Sequence, residues 1–153
     1  MPDPRTADPD TASDLEKLRG LYADWARGDF SRTEIYHPEV LSRSYGVWPG
    51  GETETRGIEE VAAASTGWLE SWERPFVIEA EEFTESGPRI AVRVRWRGTA
   101  RWGGATVESE NTHLWEFDAG QAICFDVYGE HEQALAALHS PGDDAREPEN
   151  PPG

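Results

Sequence analysis

Between Ile90 and Val127 the chain alternates so regularly that few architectures besides a β-meander can accommodate it: IAVRVRWRGTARWGGATVESENTHLWEFDAGQAICFDV. A pleated strand sends successive side chains to opposite faces, so this stretch reads as three consecutive antiparallel strands. Gly103-Gly104 reads as a two-residue hairpin loop, because both glycines tolerate φ > 0. Pairing Trp102 with Ala105 then sets Trp96 opposite Asn111, Val94 opposite His113, Val92 opposite Trp115 and Ile90 opposite Phe117. On the other face Arg97 meets Glu110, Arg95 meets Thr112 and Arg93 meets Leu114. A one-residue slip would turn every arginine inward, so the faces are well specified. One is wet. The other is aromatic, carries Asn111 and His113, and points to a pocket.

The second turn, Asp118-Ala119-Gly120, allows two readings. A two-residue loop, Ala119-Gly120, needs φ > 0 at alanine, which alanine resists. It would set Asp126 beside His113 as an acid–base pair. A type I turn closed by a left-handed Gly120 suits Asp-Ala-Gly better. It puts Ile123, Phe125 and Val127 on the aromatic face and turns Cys124, Asp126 and Tyr128 outward.

A formal net charge of −16 excludes nucleic acid and anionic membrane surfaces as partners, since both require basic patches. The length suits one domain. Residues 1–12 and 140–153, rich in Pro and Asp/Glu, are expected to be disordered acidic tails around a folded part at 13–139. No apolar run approaches the roughly 18 residues of a spanning helix, and no signal peptide is expected. The single cysteine, Cys124, suits a reducing cytoplasm. Seven Trp, four Tyr and five Phe in so polar a chain call for a core with a lined cavity.

Taken in order, Ser13-Asp14-Leu15-Glu16 is a capping box. Leu15, Leu18, Tyr22 and Trp25 then recur at helical spacing until Gly28. Ser31 to Tyr36 reads as a short helical turn ahead of His37-Pro38. Residues 40–48 form a strand that Pro49-Gly50-Gly51 turns back into a partner at 52–55. A second helix spans 57–73, with Ile58, Val61, Ser65, Trp68 and Trp72 on one face and Arg74-Pro75 ending it. A strand at 76–84 places Phe76, Ile78 and Ala80 on the core side. A terminal helix spans 130–139. Helices early and strands late define an α+β domain, a cone in which a curved antiparallel sheet wraps around the N-terminal helices and leaves a cavity where the two diverge.

This order of elements resembles the SnoaL-like (nuclear transport factor 2-like) superfamily. The resemblance rests on Leu18–Trp25 with Gly28-Asp29, on Pro49-Gly50-Gly51 followed by Gly57-Ile58-Glu59, on His113 to Gly120, and on Tyr128 with Glu132-Gln133-Ala134-Leu135. It covers about 14 to 139 and includes polyketide cyclases, steroid isomerases, epoxide hydrolases and dehydratases. The resemblance implies a pocket histidine at His113 and dimers through the outer sheet face. Cyclases of this type place an aspartate fourteen residues after that histidine, where this chain has Val127; Asp126 is one residue off. Steroid isomerases place a carboxylate near what is here Arg43-Ser44-Tyr45, where this chain has none.

Among candidate residues, His113 reads either as a general acid or base near neutral pH or as a structural and ligand-orienting group. The absence of a carboxylate on its neighbour strand favours the second. Asn111 is a ligand donor or a partner for backbone. Tyr22, Trp25, Tyr45, Trp48, Trp68, Trp72, Trp96 and Trp115 divide between core and cavity wall. His37 reads as a turn residue, and His131 and His139 as solvent-exposed. No residues stand at metal-ligand spacing, and no cofactor motif is present, so neither is expected. Arg93, Arg95 and Arg97 facing Glu108 and Glu110 suit a homodimer through the outer face. The leading function is a small apolar or aromatic molecule bound in the cone, by a cofactor-independent cyclase, isomerase or dehydratase. The rival is a non-catalytic ligand-binding or dimerisation domain with the same cavity.

Overall fold

The computed structural model describes the backbone of residues 9–48, 51–74 and 76–140, and the side chains of residues 14–46, 53–74 and 76–140. Trp48 and most of both predicted tails lie outside the residues whose side chains are described. In chain order the elements are α1 (Pro9–Ala26), β1 (Tyr36–Trp48), β2 (Gly51–Arg56), α2 (Ile58–Glu70), β3 (Val77–Ser86), β4 (Arg89–Thr99), β5 (Thr106–Asp118), β6 (Gln121–Tyr128) and α3 (His131–His139). This is the expected α+β arrangement. The six strands form one sheet in the order β2-β1-β6-β5-β4-β3. Every neighbouring pair is antiparallel except β1 and β6, which run parallel and join the first hairpin to the meander.

α1 begins at Pro9, so the Ser13 capping box falls inside the helix and does not start it. Leu18, Leu21, Tyr22 and Trp25 lie on one stripe at helical spacing and are all buried. α1 packs along β3, and Arg19 lies 4.8 Å over the Phe83 ring. The predicted helical turn at 31–36 does not form. One hydrogen bond closes the turn, Tyr36 N–H to Thr33 O at 3.1 Å, and β1 starts at Tyr36. α2 ends at Glu70, earlier than its apolar pattern suggests. The chain beyond it is drawn into the sheet, where Glu73 N–H donates to Thr99 O at 2.8 Å and Arg101 N–H to Ser71 O at 2.9 Å.

That pairing also accounts for the first hairpin. The loop is not Gly103-Gly104 alone but Arg101 to Gly104, closed by Ala100 N–H to Ala105 O at 2.7 Å. Val92 therefore faces His113, Val94 faces Asn111 and Ile90 faces Trp115, while Arg97 meets Glu108, Arg95 meets Glu110 and Arg93 meets Thr112. The register differs from the predicted one by two residues, an even slip that leaves both faces intact.

In the second hairpin two departures cancel. Asp118 pairs with Gln121, so the turn is the two-residue Ala119-Gly120, with φ of 54° at alanine and 83° at glycine. A register shift then falls between Glu116 and Phe117, where Ile123 is the extra residue of a β-bulge. Ala122, which pairs with Phe117, takes the inner place predicted for Ile123 and is fully buried. Beyond the bulge Phe125 pairs with Trp115, Asp126 with Leu114 and Val127 with His113. The predicted faces for 124 to 128 result, reached by another route.

α3 lies on the opposite face of the sheet from α1 and α2, where Leu138 packs with Ala91 and Leu114. Arg89 Nη1 donates to Ala137 O and Ser140 O, both at 2.8 Å, and so neutralises the negative end of the helix. His131, predicted exposed, is half-buried and shares a 2.8 Å hydrogen bond between its Nδ1 and Thr112 Oγ1. The rest of this face carries a ladder of ion pairs, among them Arg95–Glu81, Arg95–Glu110 and Arg97–Glu108, each at 3.1 Å.

The left-handed alanine offers a test. Ala119→Asn creates the Asn-Gly pair that this turn type prefers. It is expected to raise unfolding stability by about 0.5–1 kcal/mol, read as a shifted urea midpoint with an unchanged m-value.

Candidate functional site

α2 stands over the β1–β2 hairpin with only Val61 buried among its residues, and the sheet curves away beneath it. The space between them is a cavity of about 550 Å³, within the range that takes a drug-sized molecule. Trp25, Phe30, Tyr36, Trp68, Trp96 and Phe125 supply its aromatic wall. Arg32 is the charged lining residue among those described, and its guanidinium is ion-paired to Asp24 at 2.8 Å. No Asp or Glu lines the cavity among the described residues.

Two buried polar residues of β5, Asn111 and His113, face this space. Both are tied from behind. Trp115 Nε1–H donates to the Tyr22 hydroxyl oxygen at 2.9 Å, and the buried phenol proton, which has no other acceptor among the described residues, is assigned to His113 Nδ1 at 2.6 Å. Burial raises the Tyr22 pKa well above that of a free phenol, so the proton is there to give. With Nδ1 accepting, His113 is the tautomer protonated at Nε2. Burial also drives its pKa down from 6.5 to about 3, so the ring is neutral at any ordinary pH. In the same way Trp96 Nε1–H donates to Asn111 Oδ1 at 2.7 Å, leaving the amide N–H groups. His113 thus has its one acceptor nitrogen occupied and offers Nε2–H, while Asn111 has one lone pair of its oxygen engaged and offers its amide N–H groups.

The other candidates separate. Trp25, Trp68 and Trp96 line the cavity. Tyr22 and Trp115 are buried behind His113 as its supports, and Trp72 is buried in the core beside Trp68, Phe76 and Trp96. Tyr45 lies on the far side of the sheet and stacks on Tyr128 at 4.8 Å. Asp126 is on that side too, buried, and accepts from Arg43 Nη2 at 2.8 Å, Arg43 Nε at 3.2 Å and the Arg43 backbone N–H at 3.1 Å. A sheet thickness separates it from His113, and the two do not form a dyad. Asp126, Arg43, Arg89 and Glu116 instead line a small polar cleft of about 160 Å³ beside α3. Among the described residues no cluster of His, Cys, Asp or Glu could hold a metal ion.

Sequence reading missed Phe30, Tyr36, Ser42, Ser44, Thr53 and Thr55 in the lining. A usable signal existed for the serines: they alternate with Arg43, so an outward arginine sends both inward.

Residues 18–124 match the family model of the SnoaL-like domain, and the chain belongs to that family. Several solved structures share the fold. One is a protein from Jannaschia sp. CCS1, provisionally described as a SnoaL-like polyketide cyclase, at 18% identity and TM-score 0.65 over 85% of this chain and 94% of that one. Another is an NTF2-like protein of unknown function from Burkholderia pseudomallei K96243, at 23% identity and TM-score 0.64 over 84% and 98%. A third is TerC co-crystallised with polyporic acid, at 18% identity and TM-score 0.61 over 84% and 99%. No curated protein sequence matches the chain. No described helix is long and apolar enough to cross a membrane.

The neutral imidazole has a consequence for stability. The unfolded chain takes up a proton on His113 below about pH 6.5, whereas the folded chain does so only near 3. Within that window the unfolded state binds more protons, so stability falls as pH falls. Between pH 7 and 5 the wild type should lose about 2 kcal/mol more than His113→Gln, measured by paired urea titrations. Equal losses would mean that the folded imidazole protonates freely.

Proposed function

We propose that the protein binds a small, largely apolar or aromatic molecule that brings a hydrogen-bond acceptor, such as a ketone oxygen, to the N–H groups of His113 and Asn111. The observation that carries this reading is the pair of indole-fed restraints: Trp96 on Asn111 and Trp115, through Tyr22, on His113. The first engages one lone pair of the Asn111 oxygen, the second the single lone pair of His113 Nδ1, and each leaves N–H free to donate. Such a site recognises a carbonyl and disfavours a ligand that offers only donors, since buried N–H groups left unpaired are costly.

A catalytic version has one specific support, because preorganised donors polarise a carbonyl in a water-poor site. This would serve a cofactor-independent cyclase, isomerase or dehydratase, in line with the polyketide cyclase description of one structural neighbour. In it His113 stabilises negative charge on oxygen and does not carry the proton. A neutral imidazole already protonated at Nε2 is no base toward the cavity, and no described lining residue is a carboxylate. Binding is therefore the reading the geometry favours. Assembly as a homodimer through the Arg93, Arg95 and Arg97 face belongs to the same proposal, supported by the density of planar guanidinium groups there.

Trp25, Trp68 and Trp96 line the cavity, so occupancy is readable as tryptophan quenching. Titration with 2-acetylnaphthalene should give saturable quenching with one affinity from pH 5 to 8, and Asn111→Ala combined with His113→Phe should weaken it by roughly 10-fold or more. A sigmoid centred near pH 6.5 would show His113 titrating in the site and return it to an acid–base role. For assembly, sedimentation of the wild type should give a dimer and Arg95→Glu a monomer. A wild type that is monomeric at high micromolar concentration ends the dimer proposal.

A further inference from the structure

The wall of the cavity opposite β5 is not apolar. Ser42 and Ser44 of β1 and Thr53 and Thr55 of β2 all line it. They form a two-by-two patch, since Ser42 pairs with Thr55 and Ser44 with Thr53 across the hairpin. Inner positions of a half-buried sheet are filled by default with Val, Ile or Phe. Ser42, Ser44 and Thr55, buried or half-buried, depart from that default, while Thr53 on the edge strand is exposed. Thr55 Oγ1 reaches the Ser42 carbonyl at 3.5 Å, but Ser44 and Thr53 spend their hydroxyls on no protein partner among the described residues. Ser44 is nonetheless buried. A buried hydroxyl facing a cavity unpaired is poised for a ligand or a water.

The register places this patch relative to the donors of β5. Val127 pairs with His113 on one side and with Ser44 on the other. Thr53, Ser44, Val127 and His113 therefore stand in one row across four adjacent strands. From His113 to Ser44 is two strand spacings, about 10 Å at the backbone. What lies between is the apolar floor made by Val127 and the Phe125 ring. The row reads donor, apolar floor, hydroxyl.

We infer that the cavity selects ditopic ligands: neutral, flat molecules with a carbonyl at the His113 end and a hydroxyl at the Ser44–Thr53 end, the two oxygens separated by about the width of a fused two-ring system. Ser44 and Thr53 are the specificity-determining residues for the second oxygen. Neutrality follows because the charged lining residue, Arg32, is already ion-paired with Asp24, and hydroxyls of Ser and Thr offset no formal charge. A ligand hydroxyl suits this end because it can both donate and accept, as the protein hydroxyls can.

The inference rests on the carbonyl-binding reading above, and the test separates the two. Tryptophan quenching is measured with 6-acetyl-2-naphthol and with 2-acetylnaphthalene, which lacks the hydroxyl. Both are titrated into wild type and into Ser44→Ala/Thr53→Val, whose fold is checked by its melting temperature. Wild type should prefer the hydroxylated ketone by about 2- to 10-fold, the worth of one net hydrogen bond. In the double variant that preference should vanish while affinity for 2-acetylnaphthalene stays within 2-fold of wild type. Equal wild-type affinities, or a preference that survives in the variant, overturn the ditopic inference and leave the carbonyl site standing. If neither ketone quenches wild type, the carbonyl-binding reading falls and this inference with it. Should the double variant fail to fold, Ser44→Ala alone carries the same comparison.

Discussion

The phenol of Tyr22 is the joint on which this domain turns. Its oxygen takes a proton from the indole of Trp115 and its own proton goes to His113, so one hydroxyl ties α1 to two neighbouring positions on the same face of β5. The three rings sit in a cluster whose other members, Trp25 and Phe125, contact His113 at 6.1 Å and 5.1 Å between centroids. Removing water from such a cluster strengthens each bond in it and makes any unpaired group expensive. The same desolvation therefore holds the helix on the sheet, keeps the imidazole neutral and decides which of its nitrogens looks into the cavity. On the proposed reading, stability and recognition share one set of atoms.

A pocket built this way differs from one built around an acid–base pair. In an acid–base site the neighbouring charges set a working pKa. Here the ionisable side chains are kept away. Asp126 is held by Arg43 on the far face, Arg32 by Asp24 at the rim, and the arginine row of β4 by the glutamates beside it. What remains inside is aromatic surface, amide and imidazole N–H, and hydroxyl. On the proposed reading such a lining selects by shape and hydrogen-bond polarity, with no described carboxylate in it and a histidine kept neutral by burial.

Much of this was legible in the chain because parity survives errors of detail. The first hairpin was misread by two residues, yet an even slip changes no face, and Asn111 and His113 were placed correctly on the aromatic side. Other features were out of reach for physical reasons. The parallel pairing of β1 with β6 joins segments some 83 residues apart and leaves no local pattern. Tyr45 counts among the candidates for core or cavity wall because it is aromatic, and it is in neither. Its neighbour Arg43 pairs outward with Asp126, and the pleat carries Tyr45 out as well. The hydroxyl patch was overlooked because Ser and Thr on strands usually signify nothing but a wet face. Only the cavity gives these four a direction.

The bulge at Ile123 bears on how the chain finds this structure. A hairpin zips outward from its turn, and the first two pairs, Asp118 with Gln121 and Phe117 with Ala122, are compatible with an unbroken ladder. At Ile123 the path forks. Continuing without the bulge would carry Asp126 inward beside His113 and expel Phe125, while inserting it does the reverse. The turn cannot arbitrate, since it is the same on both branches. Within the hairpin the Trp115–Phe125 contact at 4.4 Å favours the bulge, and from far away in sequence Arg43 on β1 fixes it by taking the Asp126 carboxylate with its backbone and its guanidinium together. The register of this hairpin is therefore held by one contact inside it and one from a strand far away in sequence, and the two agree.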